Sequence, residues 1–203
     1  MKVLLVNGSP HEKGCTFTAL SEVETTLRSL GAETEMLWLG NGPVRDCIGC
    51  HACRGKGRCV FDDDAVNQII DRAGEFDGFV FGTPVYYAHP SGRVLSVLDR
   101  VFFAGGAKFA FKPAAAVVSA RRSGTTATFD AMNKYFTICR MPVVSSSYWN
   151  AVHGNTPEEV RQDAEGLQTM RNLARNMVWM LRNIEGGVPA PESEFGNWTN
   201  FIR

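Results

Sequence analysis

The first sixteen residues, MKVLLVNGSPHEKGCT, join a buried strand, a short loop and the start of a helix with no spacer between them. Residues 3–6 are four large apolar side chains in a row, which is too short a run to cross a membrane and is typical of a central parallel strand covered on both faces. Residues 7–10 break the strand, and helical spacing begins at Cys15. Unpaired backbone N–H groups and the positive end of the helix dipole converge at such a junction, so the segment predicts a phosphate site.

The rest of the chain repeats this alternation of strand and helix. After the strand at residues 2–6, strands are predicted at 33–39, 79–85 and 114–119, and a fifth is predicted to start at 141–144. A first helix is predicted at 16–30, and two more are predicted to follow the aspartates at 62–64 and residues 91–92. A fourth helix is predicted to end at about 139. The last is predicted from 156 onward, where Thr-Pro-Glu-Glu matches a capping box. This order predicts an α/β fold, a doubly wound five-stranded parallel sheet with helices on both faces.

Length and composition limit the classes of protein to which the chain can belong. A chain of 203 residues, 44% of them hydrophobic, is expected to form one domain at 1–186 followed by a tail at 187–203. Lysine plus arginine equals aspartate plus glutamate at 21 each, so we expect neither nucleic acid nor a membrane as a partner. Neither a signal peptide nor a transmembrane run is recognisable, which favours a cytoplasmic protein.

Three common phosphate-binding patterns do not match the first loop. Five residues separate Gly8 and Gly14 where a Walker A loop has four, and Cys15-Thr16 stands where that loop needs lysine before serine or threonine. The dinucleotide fingerprint G-x-G-x-x-G is missing, and no cysteine precedes an arginine at the phosphatase spacing. The hydroxyls of Ser9 and Thr16, the amides through Gly14 and a helix N-terminus remain, and they suit a single terminal phosphate. An ordinary strand-to-helix turn is the alternative.

Two later loops carry groups suited to a flat heteroaromatic ring. Loops that leave the carboxyl ends of parallel strands meet at one edge of the sheet. There the third strand offers Pro84, Val85, Tyr86 and Tyr87, and the fourth offers Ser119, Arg121, Arg122 and Gly124. A phosphate pocket beside a ring pocket is what a flavin mononucleotide requires, although the tyrosines could also serve only to anchor their loop.

These segments together resemble a known family, the flavodoxin-like NADPH-dependent FMN reductases, and within it the iron-sulfur flavoproteins. The segments that carry the resemblance are GSPHEKGCT, TPVYYAHPSGRVLSVLDR, VVSARRSGTT and CIGCHACRGKGRCVFDDD, and it extends over about residues 1–185. It implies a flavodoxin-like fold in which residues 9–16 hold the FMN phosphate and the loops at 84–87 and 119–124 flank the isoalloxazine. Many relatives have arginine at the position of His11 and asparagine at that of Cys15, so this chain departs from the family at two phosphate contacts.

Four cysteines lie in a long loop at residues 40–61. Cys47, Cys50, Cys53 and Cys59 follow the spacing C-x2-C-x2-C-x5-C, which indicates a metal site. The compact triplet favours a [4Fe–4S] cluster over zinc, since zinc sites separate their cysteine pairs by longer inserts. A loop without metal is the third interpretation. The spacing also resembles that of the iron-sulfur flavoproteins, in which the cluster relays electrons to and from FMN.

Three hypotheses about function follow. The first is an FMN-dependent oxidoreductase that takes a hydride from NAD(P)H and passes electrons to a quinone, a flavin or an aromatic xenobiotic, with the chemistry carried by FMN and not by a side chain. The second is an electron carrier fed by a ferredoxin-like protein, and the third is a zinc-bearing flavin-binding module. The family resemblance implies a homodimer or homotetramer, with Trp149, Trp198 and the loop at 150–154 as candidates for interface or site-covering elements.

Overall fold

The computed structural model describes residues 1–197 and Thr199. Its strands are β1 (Lys2–Asn7), β2 (Glu33–Trp38), β3 (Gly78–Tyr86), β4 (His89–Pro90), β5 (Ala114–Ala120) and β6 (Ala151–His153). Five of them pair in parallel in the order β2-β1-β3-β5-β6, and β4 pairs antiparallel with the end of β3. The predicted doubly wound parallel sheet is therefore confirmed.

Helices cover both faces of the sheet. They are α1 (Cys15–Ser29), α2 (Ala65–Arg72), α3 (Gly92–Gly105), α4 (Thr125–Ile138), α5 (Pro157–Val160) and α6 (Ala164–Glu185), with short 3-10 turns at Ala73–Glu75 and Gly106–Phe109. Successive residues of β1 point to opposite faces, so Leu4 and Val6 pack with α2, α3 and α4, whereas Val3 and Leu5 pack with α1 and α6. The carboxyl ends of the parallel strands are thus left for the connecting loops.

The predicted start of the fifth strand is wrong. Val143 makes only an isolated bridge to Ala114, and the chain then leaves the sheet and returns as β6, whose first residue Ala151 pairs with Val118. Residues 114 and 118 of β5 are four positions apart, whereas the residues that pair with them, 143 and 151, are eight positions apart. The excursion contains three serines in a row at 145–147, which favour turns over a strand, and it ends at the buried Asn150.

The predicted start of the last long helix is also wrong. Thr156 does cap a helix, and its hydroxyl accepts a hydrogen bond from the Glu159 amide, but that helix is only the four-residue α5. Asp163 then has a non-helical backbone and its carboxylate accepts a bond from the Gly166 amide at 2.9 Å, so α6 begins after it. A second N-cap seven residues after the first therefore divides the predicted helix.

The described part of the tail contacts its own domain. The Arg140 guanidinium donates a hydrogen bond to the Ser193 hydroxyl at 2.6 Å and lies 5.4 Å from the centre of the Phe195 ring, which remains largely exposed. Trp198, predicted as a candidate interface or site-covering residue, lies outside the described residues, as do the apolar tail residues Phe201 and Ile202. Of the helices described, none is both long and apolar enough to span a bilayer.

Candidate functional site

The loop after β1 is ordered by its own hydrogen bonds. The Asn7 side chain accepts from the Ser9 amide at 3.1 Å and donates to the Glu12 carbonyl at 2.9 Å. The Ser9 hydroxyl accepts from the His11 amide at 3.1 Å, and the Trp38 indole N–H donates to the Ser9 carbonyl at 2.8 Å. These contacts fix the loop in an open turn above the end of β1, with the Ser9 side chain almost fully buried.

Two of the helices that begin at this edge of the sheet differ from the others at their N-termini. Four helices have an N-cap side chain that accepts from the first turn, namely Asp64 for α2, Ser91 for α3, Thr156 for α5 and Asp163 for α6. In α1 and α4 the N-cap is glycine, Gly14 or Gly124, and within the described residues neither helix has a side-chain cap. Their first-turn N–H groups are therefore available to an anion, which a helix dipole also favours.

Two buried hydroxyls connect the first loop to the third. Thr16 Oγ1 and Ser119 Oγ share a hydrogen bond of 2.7 Å, although the residues are 103 positions apart. Both side chains are at most 3% exposed. Ser119, predicted to flank the ring, is thus paired with a residue predicted to hold the phosphate, and the two loops form one polar wall.

Gly124 allows the second and third loops to pack closely against each other. Its backbone has φ of +87°, and a Cβ there would lie 2.8 Å from Val85 Cγ1 and 3.1 Å from the Tyr87 carbonyl oxygen, so both the conformation and the close approach require glycine. Tyr87 itself has φ of +57° in the turn between β3 and β4, and its ring is completely exposed. A bulky residue with a positive φ is strained, so the surrounding turn must hold the Tyr87 backbone in this conformation, and the ring is thereby kept outward at the edge of the site.

One cavity of about 300 Å³ lies where the three loops meet. Nine of the predicted cofactor-binding residues line it together: Ser9, His11, Cys15, Thr16, Pro84, Val85, Tyr86, Ser119 and Arg121. Gly14, Tyr87, Arg122 and Gly124 do not line it; the two glycines precede the uncapped helices, whereas Tyr87 and Arg122 lie exposed in the bordering loops. The volume of the cavity fits part of an FMN-sized ligand, and its buried hydroxyls and the open N-terminus of α1 fit the phosphate of that ligand.

The cavity also includes three residues that were not named individually as cofactor-binding. Ala120 lies within the predicted ring loop at 119–124 and Gly154 within the loop at 150–154, a candidate interface or site-covering element, whereas Asn155 lies outside every predicted segment. Ala120 ends β5, and Gly154 and Asn155 follow β6. Gly154 donates its amide to the Ala120 carbonyl at 3.0 Å, and its own carbonyl lies 3.7 Å from the Cys15 sulfur. Burial raises the pKa of the Cys15 thiol, so the group is a neutral part of this wall. Correct placement of the fifth strand would have added its exit loop to the predicted site.

The four loop cysteines line a second, smaller cavity. All are free thiols, with Cys47 and Cys50 exposed and Cys53 and Cys59 partly buried. The other lining is mostly apolar, from Ile48, Val60, Phe61, Phe103 and Ala104. The described residues nevertheless contain no group of three or more His, Cys, Asp and Glu side chains close enough to hold a metal ion. The four cysteines line one largely apolar cavity, so the donor set fits an iron–sulfur cluster in its chemistry.

Hydrogen bonds fix the end of the cysteine loop to the helices beneath it. The Asn67 side chain, on α2 and fully buried, accepts from the Cys59 amide at 2.9 Å and donates to the carbonyls of Cys59 and Phe61, both at 3.0 Å. On α3, Arg93 donates to the Gly42 carbonyl and Ser96 to the Asp46 carboxylate. Of the three aspartates at the predicted start of α2, Asp64 forms the helix cap, and all three form ion pairs with arginines.

Comparisons with known proteins agree with this architecture. The sequence model of the NADPH-dependent FMN reductase family matches residues 1–156. An iron-sulfur flavoprotein of Methanocaldococcus jannaschii is 30% identical over 196 residues, which cover 91% of this chain and all of the relative. RosB, solved with the bound intermediate 8-demethyl-8-formylriboflavin-5'-phosphate, is similar with a TM-score of 0.72 at 13% identity, covering 99% of this chain and 92% of that one.

A flavodoxin from the domain Archaea has a TM-score of 0.62 at 13% identity, covering 90% of this chain and 99% of that one. The predicted flavodoxin-like fold is therefore confirmed, and so are the family and the subgroup that the sequence resembles. Since the family match spans more than half of the chain, the protein belongs to the NADPH-dependent FMN reductase family.

Proposed function

We propose that the protein is an FMN-dependent oxidoreductase that takes electrons from NAD(P)H and passes them to a small acceptor such as a quinone, a flavin or an aromatic xenobiotic. The observation that carries the proposal is the cavity at the carboxyl ends of β1, β3 and β5, which is lined by the first turn of α1, a helix with a glycine N-cap. Family membership supports a flavin-dependent oxidoreductase activity.

The phosphate end of the ligand would lie in the loop after β1. Ser9 and Thr16 would donate hydroxyl hydrogen bonds, and the open N–H groups of α1 would add backbone donors. His11 stands exposed at the mouth and adds a further donor, while Cys15 closes the wall against Gly154. The site needs no lysine for this purpose, because helix N-termini stabilise a single terminal phosphate by themselves.

The ring end would lie between the second and third loops. Pro84, Val85 and Tyr86 present a partly apolar surface, and the exposed Tyr87 ring lies in the bordering loop. Arg121 brings a cationic side chain to the other side. Bound FMN supplies both hydride and single-electron transfer, and the side chains position it and adjust its potential.

The cysteine loop would hold a [4Fe–4S] cluster through Cys47, Cys50, Cys53 and Cys59. The relative from M. jannaschii is named an iron-sulfur flavoprotein, and the four thiols of this chain share one cavity. Such a cluster supplies single-electron transfer. Apolar side chains from α3 and the loop exclude water from part of the cavity.

An electron carrier fed by a ferredoxin-like protein, without NAD(P)H, is the second candidate. It is favoured by the exposure of the cysteine loop, where Ile48 and Val60 are 67% and 56% exposed beside Cys47 and Cys59. A surface of this kind suits transient contact with a protein partner. We also propose a homodimer or homotetramer, in which exposed aromatic residues such as Trp149 would be covered.

The absorption spectrum of protein purified without oxygen tests the proposal. We expect the two bands of an oxidised flavin and a broad shoulder from the cluster, and we expect NADPH or NADH alone to bleach the flavin under anaerobic conditions. Bleaching only after a reduced ferredoxin is added would favour the carrier. A colourless protein that binds no added FMN would contradict both functions.

A further inference from the structure

Arg100 is a fully buried cation beside the cysteine cavity. It lies on α3, only 1% of its side chain is exposed, and it lines the cavity with the four cysteines. A guanidinium cannot lose its charge in a protein, so its burial requires compensating partners. Those partners come from the cysteine loop and its continuation into α2.

Each nitrogen of Arg100 has a partner of its own. Nη1 donates to the Asp64 carboxylate and to the Arg45 carbonyl at 3.2 Å, and Nη2 donates to the Phe61 carbonyl at 3.2 Å. Nε then donates to the Cys59 sulfur at 3.3 Å. Because the planar group fixes these directions relative to one another, anchoring of the two terminal nitrogens aims Nε at the sulfur.

Asp64 balances the charge of Arg100, and therefore the contact with Cys59 acts as a directed hydrogen bond more than as a net positive charge. The carboxylate is about 10% exposed and also caps α2. Hydrogen bonds to cysteine sulfurs are among the factors that set the potential of an iron–sulfur centre, and partners of the ligands orient them. Asn67 completes the arrangement by fixing the backbone of residue 59.

We propose that Arg100 is a positioning residue that orients Cys59 as the fourth ligand of the cluster and raises the reduction potential of that cluster. The proposal rests on the [4Fe–4S] cluster of the proposed function. A cluster gains one negative charge when it is reduced, so an N–H directed at a ligand sulfur stabilises the reduced form more than the oxidised form. Arg100 would thereby favour electron entry into the cluster while leaving the flavin unchanged.

The test compares Arg100→Lys with Arg93→Lys. Lysine at position 100 retains the charge for Asp64 but has no donor at the Nε position. Arg93 lies on the same helix and also bonds the loop, at the Gly42 carbonyl. The cluster midpoint potential is measured by anaerobic titration followed by electron paramagnetic resonance, with iron, sulfide and FMN contents and the flavin potential measured in the same samples.

We expect Arg100→Lys to lower the reduction equilibrium constant about tenfold, which is about 59 mV for a single electron. Arg93→Lys should retain the wild-type cluster potential, and the flavin potential should be unchanged in both variants. A cluster-loaded Arg100→Lys protein with the wild-type potential would overturn this inference. Absence of iron and sulfide from the wild-type protein would instead overturn the proposed cluster itself.

A further variant covers the case in which Arg100→Lys does not fold. In Arg100→Gln with Asp64→Asn, no unpaired buried charge remains. We again expect a lower cluster potential at unchanged FMN content. If the double variant has the wild-type cluster potential, the inference that Arg100 raises that potential is wrong.

Discussion

At the scale of single residues, the paired hydroxyls of Thr16 and Ser119 show how distant parts of the chain build one wall. We expect replacement of Ser9 and Thr16 together by alanine to weaken FMN binding, since hydrogen bonds to a charged group contribute roughly 1.5–3 kcal/mol each. Two such bonds correspond to a roughly 100-fold or larger rise in the dissociation constant. Fluorescence titration of the apoprotein with FMN measures this change.

Thr26→Ala is the matched control for that experiment. Thr26 lies on the same helix, and its hydroxyl donates to the Glu22 carbonyl instead of lining the cavity. Its replacement should leave FMN affinity unchanged. If the double variant binds FMN as tightly as the Thr26→Ala protein does, the placement of the phosphate is wrong.

Residues close in sequence were easier to predict than residues brought together by the fold. Ser9 and Thr16 belong to one strand, loop and helix, so their common position follows from local chain geometry. The bond from Thr16 to Ser119 depends on the register of separate strands, which no local pattern states. Arg100 was not singled out, because an arginine within an amphipathic helix usually marks its exposed face, whereas here it is buried.

At the scale of elements, Asp163 fixes where the last helix begins. Its carboxylate accepts bonds from the Gly166 amide at 2.9 Å and from the His153 amide at 2.7 Å, and so it joins α6 to the end of β6. We expect Asp163→Ala to destabilise the fold by about 1–2 kcal/mol, the usual contribution of an N-cap side chain. Urea unfolding followed by circular dichroism measures it.

Glu165→Ala serves as the control for Asp163→Ala. It removes an exposed carboxylate from the first turn of the same helix without removing the cap, so the expected loss is smaller, roughly 0.3–1 kcal/mol. Equal unfolding midpoints for the Asp163→Ala variant and the wild-type protein would show that the cap does not stabilise α6.

The errors in element prediction have a common physical origin. The apolar run at residues 141–144 has the composition of a strand, but it touches β5 only at Ala114 before turning away. The strand that forms, Ala151–His153, is too short to show periodicity. Its position depends on pairing with β5, just as the interruption between α5 and α6 depends on a bond from Asp163 to β6.

At the scale of the whole molecule, the alternation of strands and helices sufficed to predict the fold, because buried parallel strands have continuous apolar runs.

One charged network joins the edge of the sheet to α2. Arg72 makes a two-pronged pair with Glu35 at 2.6 and 2.8 Å and a second pair with Glu75, and Lys2 lies within 3.8 Å of both carboxylates. The hydrogen bond from Arg72 lowers the pKa of Glu35 and that of Glu75.

The unfolding free energy should therefore decrease at acid pH as the carboxylates of Glu35 and Glu75 become protonated. Because their folded-state pKa values lie below the unfolded value of about 4.3, the stabilisation is present above that pH and is lost as pH falls through the folded values. We expect Glu35→Gln to flatten the decrease of unfolding free energy below about pH 4.3, as measured by urea unfolding at a series of pH values.

Glu33→Gln, on the same strand, is the control for the acid dependence. Glu33 is exposed and is not part of this network. Its replacement should leave the acid dependence as in the wild-type protein. If the unfolding free energy decreases equally steeply at acid pH in the Glu35→Gln and Glu33→Gln proteins, the assigned role of the network is wrong.

The glycine N-caps of α1 and α4 make the stability of the fold depend on its ligand. Helices that carry their own caps satisfy their first turns inside the protein, whereas these two have no side-chain cap, so their first-turn N–H groups are available to an external anion. Any anion that binds the folded chain alone adds RT ln(1 + [L]/Kd) to its unfolding free energy, about 4 kcal/mol at a thousandfold excess over Kd. The chain would thus persist in a cell in proportion to its cofactor supply, with unloaded copies the first to unfold and be degraded.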